Sequence, residues 1–85
     1  MSWKYRRCCG IDVHKDQVTV CVLPPDGQEG EVVVKVYRTF TENLRQLRFW
    51  LQALKVTEVA MESTGVYWRP VWNVLEGHFR LLLVN

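Results

Sequence analysis

Two carboxylates stand in stretches that are otherwise apolar. Asp12 lies in CCGIDVHKDQVTVCV, residues 8–22, inside what reads as a buried strand, and Glu62 closes the run EVAME ahead of STGVYW. A buried charge is costly unless it is paired or binds a metal. Fifty positions separate the two acids, so only the fold can bring them together. If the strand ending at Glu62 runs parallel to the one carrying Asp12, both carboxylates reach one edge of the sheet, where open α/β sheets bind ligands. Two adjacent carboxylates stay ionised at low cost only with a cation between them. Oxygen ligands alone select a hard ion, Mg²⁺ or Mn²⁺, over zinc. A pair of such ions about 4 Å apart activates a nucleophile and stabilises a leaving oxygen in phosphodiester chemistry. The residues alone leave plainer readings open: Asp12 could bond a hairpin amide, and Glu62 could favour the dipole of a following helix.

The remaining chemistry-bearing residues read more plainly. His14 and His78 are packing or surface residues, and Lys15 is an exposed hairpin lysine with phosphate contact as the alternative. Trp68 and Trp72, four apart, read as core anchors rather than a platform for stacked bases. Cys8, Cys9 and Cys21 are odd in number and lack zinc-ligand spacing. All three are expected to be small buried hydrophobes, with Cys8 and Cys9 on opposite faces of a strand.

The elements that must position the acids follow from periodicity. Arg6 to His14 and Gln17 to Leu23 are predicted strands joined by a tight hairpin. The second is apolar on both sides, which places it inside the sheet. Pro24-Pro25-Asp26-Gly27 is a turn. Glu31 to Arg38 alternates, with Val32, Val34 and Val36 on one side, and its charges suit an edge. From Thr41 to Lys55 the period becomes helical, with Leu44, Leu47, Leu51 and Leu54 on one stripe and Thr41 as the N-cap. Arg45, Arg48, Gln52 and Lys55 form a neighbouring, solvated stripe. A strand from Thr57 to Glu62 precedes a helix from about Tyr67 to Glu76, whose start is set by Pro70 and whose end is capped by Gly77. Phe79 to Val84 contains three consecutive leucines, the mark of a strand covered on both faces. The order is β-β-β-α-β-α-β, closing with a parallel crossover.

Eighty-five residues hold one small core, and 48% hydrophobic with 24% charged residues is ordinary globular composition. A net charge of +2 is too slight to argue for nucleic acid without clustering. No apolar run approaches a membrane span, and MSWKYRR lacks the apolar core of a signal peptide, so a cytoplasmic setting is expected.

GIDVHKD at residues 10–16 and MESTGVYWRPVWNVLEGHFRLLLVN at 61–85 resemble the N-terminal domain of the insertion-sequence 110 family of transposases. The resemblance spans nearly the whole chain and implies a RuvC-like, ribonuclease-H-like α/β domain: a mixed five-stranded sheet in the order 3-2-1-4-5. It implies that Asp12 and Glu62 are the first D and the E of a DEDD catalytic set that binds Mg²⁺ or Mn²⁺. The implied partners are DNA and a structured guide RNA, in a prokaryotic cytoplasm, with a separate serine-bearing domain contributing to strand exchange.

The family's remaining D-x-x-D pair follows the strand that here ends in Leu83-Val84-Asn85. Residues 1–85 are therefore expected to form a single, C-terminally truncated domain without its last helix. Such a fragment would bind metal weakly, expose apolar sheet surface that promotes homo-oligomers, and fail to cleave DNA alone. Two other readings compete. A sugar-kinase-like nucleotide-binding half-domain is disfavoured because His14-Lys15 occupies a hairpin that is usually glycine-rich there. A non-catalytic nucleic-acid-binding or oligomerisation module would gather Lys4, Arg6, Arg7, Lys15 and Arg69 on one basic surface. Steep weakening of DNA or RNA binding with added salt would mark that module.

Overall fold

The computed structural model describes residues 6–84. Alternating strands and leucine-striped helices follow in the order β1 (Cys8–Val13), β2 (Gln17–Val22), β3 (Val33–Arg38), α1 (Thr41–Ala53), β4 (Glu58–Ser63), α2 (Trp68–Leu75) and β5 (Arg80–Val84). They build one five-stranded sheet in the order β3-β2-β1-β4-β5. β1, β2 and β3 form an antiparallel meander, while β4 pairs parallel to β1 and β5 parallel to β4. Element order and strand order both agree with expectation. No helix among the described residues is long and apolar enough to cross a membrane.

The core occupies one face of the sheet. Cys9, Ile11 and Val13 of β1, Val18, Val20 and Val22 of β2, and Val59 and Met61 of β4 are buried with Leu44, Leu47 and Leu51 of α1 and Val71 and Leu75 of α2. Fully burying such a side chain contributes about 1.5–3 kcal/mol before conformational entropy is counted. Alternation sends the intervening residues to the opposite face, which no described element covers. At the β3 edge Tyr37 reaches the core and meets Trp50 at 6.0 Å, with the Lys35 ammonium over both rings. Val34 and Val36 point the other way and are exposed, as is Val32 ahead of the strand.

Several local expectations are corrected. β1 is shorter than Arg6 to His14, because its pairing begins with Cys8 opposite Glu58 of β4 and ends with Val13. Phe40, not Thr41, is the N-cap of α1, and no side chain caps it; Thr41 is the first helical residue. α1 stops at Ala53 because Lys55 adopts a left-handed φ of 62°. The amides of Lys55 and Val56 then return to the carbonyls of Gln52 and Leu51. In the basic stripe Arg45, Gln52 and Lys55 are exposed, but Arg48 is half-buried with its guanidinium over Phe49. α2 starts at Trp68, which leaves Pro70 in the first turn, where its missing N–H costs nothing. It ends at Leu75 with Glu76 as the cap, and Gly77 follows at φ 82°, the left-handed position glycine favours. β5 is an edge strand rather than one covered on both faces: Leu81 and Leu83 are half-buried against the core, and Leu82 is 61% exposed. Of the cysteines only Cys9 is buried; Cys8 and Cys21 lie half-buried on the uncovered face, opposite Cys9.

Burial pushes the Cys9 thiol up to about 12, with the neighbouring Cys21 and Cys8 thiols adding to it. An unfolded thiol ionises near 9.0, so the folded chain keeps a proton that the unfolded chain releases above that pH. This contribution is complete below pH 9.0 and is lost as pH rises toward about 12. Urea unfolding of wild type and Cys9→Ala across that window checks it: the stability difference between the two should shift toward the variant as pH rises.

Candidate functional site

The parallel pairing of β1 with β4 sets Asp12 directly beside Glu62. Adjacent strands lie about 4.8 Å apart, and both residues hold positions on the uncovered face. On the far side of Asp12 the register places Thr19, then Val36; beyond Glu62 it places Val84. The two acids thus form the centre of a row that crosses all five strands. One position down the same face, Gly10 sits opposite Ala60 and Cys21. A Cβ at Gly10 would meet nothing within 4 Å, so these small residues leave a floor below the acids. The depression they share has a volume of about 480 Å³.

Asp12 is not buried. Its side chain is 58% exposed, and no charged residue is buried among those described. The even positions of β1 face the side that the helices leave bare, so burial cost does not explain the acid. The cost at this position is the proximity of two like charges. Glu62 makes no ion pair among the described residues, while Oδ2 of Asp12 lies 3.0 Å from Nε2 of His14. No group of three or more His, Cys, Asp or Glu able to hold a metal occurs among the described residues. The converging donors are therefore two carboxylates, which suit a hard cation in kind and supply part of its usual oxygen set.

The basic candidates do not gather. Lys15 sits at the tip of the β1–β2 hairpin, exposed, its carbonyl accepting from Thr39 Oγ1 at 3.2 Å. Arg69 follows β4 at the same end of the sheet, on α2, with its guanidinium over Trp68. Arg6 and Arg7 precede β1 at the other end, roughly 20 Å away along a strand of this length. Arg6 pairs loosely with Glu58 at 3.6 Å. Arg7 donates from Nε to the Leu23 carbonyl at 2.9 Å and from Nη1 to the Leu54 carbonyl at 3.0 Å, tying the end of β2 to the end of α1. Lys4 lies outside the described residues. Trp68 and Trp72 meet edge to face at 5.7 Å and pack against the core, as anchors do.

Sequence reasoning missed two neighbours of the acids. Thr19 is the one polar side chain inside β2, and the hairpin register puts it opposite Asp12. His14 is two residues beyond Asp12, and period two alone places both on one face.

Strand order 3-2-1-4-5, with two acids at the carboxyl ends of its first and fourth strands, defines a ribonuclease-H-like domain of the RuvC type. RuvC from Thermus thermophilus superposes with a TM-score of 0.64 at 14% identity, over 92% of this chain and 63% of that one. A Ppx/GppA family member from Aquifex aeolicus gives 0.57 at 14% identity, over 94% of this chain and 35% of the other. YeaZ from Pseudomonas aeruginosa gives 0.58 at 16%, over 94% and 43%. At such identities the likeness carries the fold alone, and this chain spans about a third of the Aquifex protein's length. No curated protein matches the sequence. The sequence model of the transposase family of insertion-sequence 110, built on its DEDD domain, matches residues 9–85. The chain belongs to that family.

Like charges side by side on neighbouring strands are destabilising, by roughly 0.2–1 kcal/mol. Glu62→Gln should therefore raise stability by about 0.5 kcal/mol in low salt without divalent ions. The gain should shrink in high salt, where the repulsion is screened. Urea titrations at two ionic strengths check this; an unchanged or lowered midpoint would mean the carboxylates do not repel.

Proposed function

We propose that this domain supplies Asp12 and Glu62 as two ligands and catalytic carboxylates of a divalent-metal site acting on DNA phosphodiesters, within a transposase. The observation that carries the reading is their direct pairing across β1 and β4, on a face with open access. Membership of the transposase family supports a nuclease-type role, and the fold is that of RuvC. Mg²⁺ or Mn²⁺ at such a site would supply an activated nucleophile and a stabilised leaving oxygen. The chain's own part is to hold two oxygens at fixed spacing. Rigidity comes from the inner position of both strands, and Gly10 and Ala60 below keep the approach clear.

The same reading extends to the polypeptide as a whole. DNA is the substrate, a structured RNA guides it, and action takes place in a prokaryotic cytoplasm. With two carboxylates converging, the 85-residue polypeptide holds its ion weakly and neither cleaves nor recombines DNA by itself. The bare sheet face, with Val34, Val36 and Leu82 exposed, favours association of copies.

The 85-residue protein titrated with Mn²⁺ should show saturable binding in the millimolar range. Asp12→Asn or Glu62→Gln should weaken it about tenfold or more. Incubated with supercoiled DNA and Mg²⁺ it should leave the DNA intact. Nicking by the purified protein that vanishes in Asp12→Asn would overturn the inactivity of the isolated domain, and Mn²⁺ binding indifferent to both substitutions would overturn the metal assignment.

A further inference from the structure

We propose that His14 is a positioning residue for Asp12, holding one carboxylate oxygen so that the other is presented for a metal ion. The inference rests on the metal-site reading of Asp12 and Glu62. A carboxylate oxygen only accepts, so in the 3.0 Å contact the ring donates from Nε2–H to Oδ2. That nitrogen then has no lone pair for a metal, so through Nε2 His14 serves Asp12 as a donor. The contact is the one hydrogen bond that either acid's side chain makes among the described residues.

The ring is carried on a fixed platform. Its own amide donates to the Gln17 carbonyl at 2.9 Å, closing the hairpin turn. Thr39 Oγ1 bonds the next carbonyl, that of Lys15, at 3.2 Å and joins the turn to the segment after β3. Val13 and Val18, paired at the end of the hairpin, are fully buried. The backbone under His14 therefore has little freedom, although the ring is 52% and Asp12 58% exposed.

The pairing has a physical purpose at this location. Glu62 stands beside the Asp12 carboxylate and repels it, and the Asp12 side chain is 58% exposed on the open face. Left alone, the side chain would turn toward solvent and would have to be reordered on each binding event. A donor at position 14 opposes that repulsion and fixes the orientation beforehand, as outer partners of metal-binding carboxylates do.

The test uses ¹⁵N-labelled 85-residue protein and Mn²⁺ as the probe, reading paramagnetic broadening of the Gly10, Thr19 and Ala60 amides. His14→Ala should weaken Mn²⁺ binding about tenfold. His14→Gln, whose amide nitrogen reaches the place of Nε2, should retain affinity within about twofold of wild type. Without metal, ring ¹⁵N shifts should show the Nε2–H form in wild type and a changed ring signal in Asp12→Asn. Equal affinity in wild type and His14→Ala overturns the proposal while leaving the metal site standing. Loss in His14→Gln as large as in His14→Ala also overturns it, since the ring would then be a ligand rather than a donor. Absence of broadening in wild type overturns the metal-site reading, and this proposal with it.

Discussion

The register between β1 and β4 governs everything else in this domain. Val59 and Met61 on β4, with Cys9, Ile11 and Val13 on β1, are buried against the helices, and that burial locks the two strands in step. A slip of one residue would turn Met61 out to water and send Glu62 into the core. The apolar side of the sheet therefore determines which polar groups meet on the other side. No attraction between Asp12 and Glu62 is needed to bring them together; they are held beside each other against their own repulsion by side chains they never touch.

Much of this was legible in residues with a strict period. The leucines of α1, the two-sided apolarity of β2 and the placement of Pro70 gave elements whose ends moved by only a few residues. Those signals are local, and local sterics decide them. Face coverage is not local. Asp12 read as buried because β1 is apolar around it, yet alternation cannot say which face the helices will cover. The same gap explains Leu82, where an unbroken leucine run suggested two covered faces and an edge position left one bare. Cys8 and Cys21 follow the same logic.

The acids themselves were legible because charge is conspicuous in apolar strands; their surroundings were not. Thr19 joins Asp12 through the hairpin register, which depends on where the turn closes, and the His14 ring meets Asp12 only just beyond the end of β1. The fold alone would not have chosen among functions, since RuvC, Ppx/GppA and YeaZ all share it at 14–16% identity. What separates this chain from them is the family match over residues 9–85; the pairing of Asp12 with Glu62 carries the proposed metal reading.

Arg7 shows why counting cations misleads. Its guanidinium is occupied by the carbonyls of Leu23 and Leu54, Lys35 lies over Tyr37 and Trp50, and Arg48 lies against Phe49. The charge of each still projects a field, but two of the five N–H donors of Arg7 are already committed to the scaffold. A phosphate that drew the guanidinium toward itself would give up those two bonds and loosen the joint between β2 and α1. What looks in the sequence like a handle for nucleic acid is, at this position, a rivet.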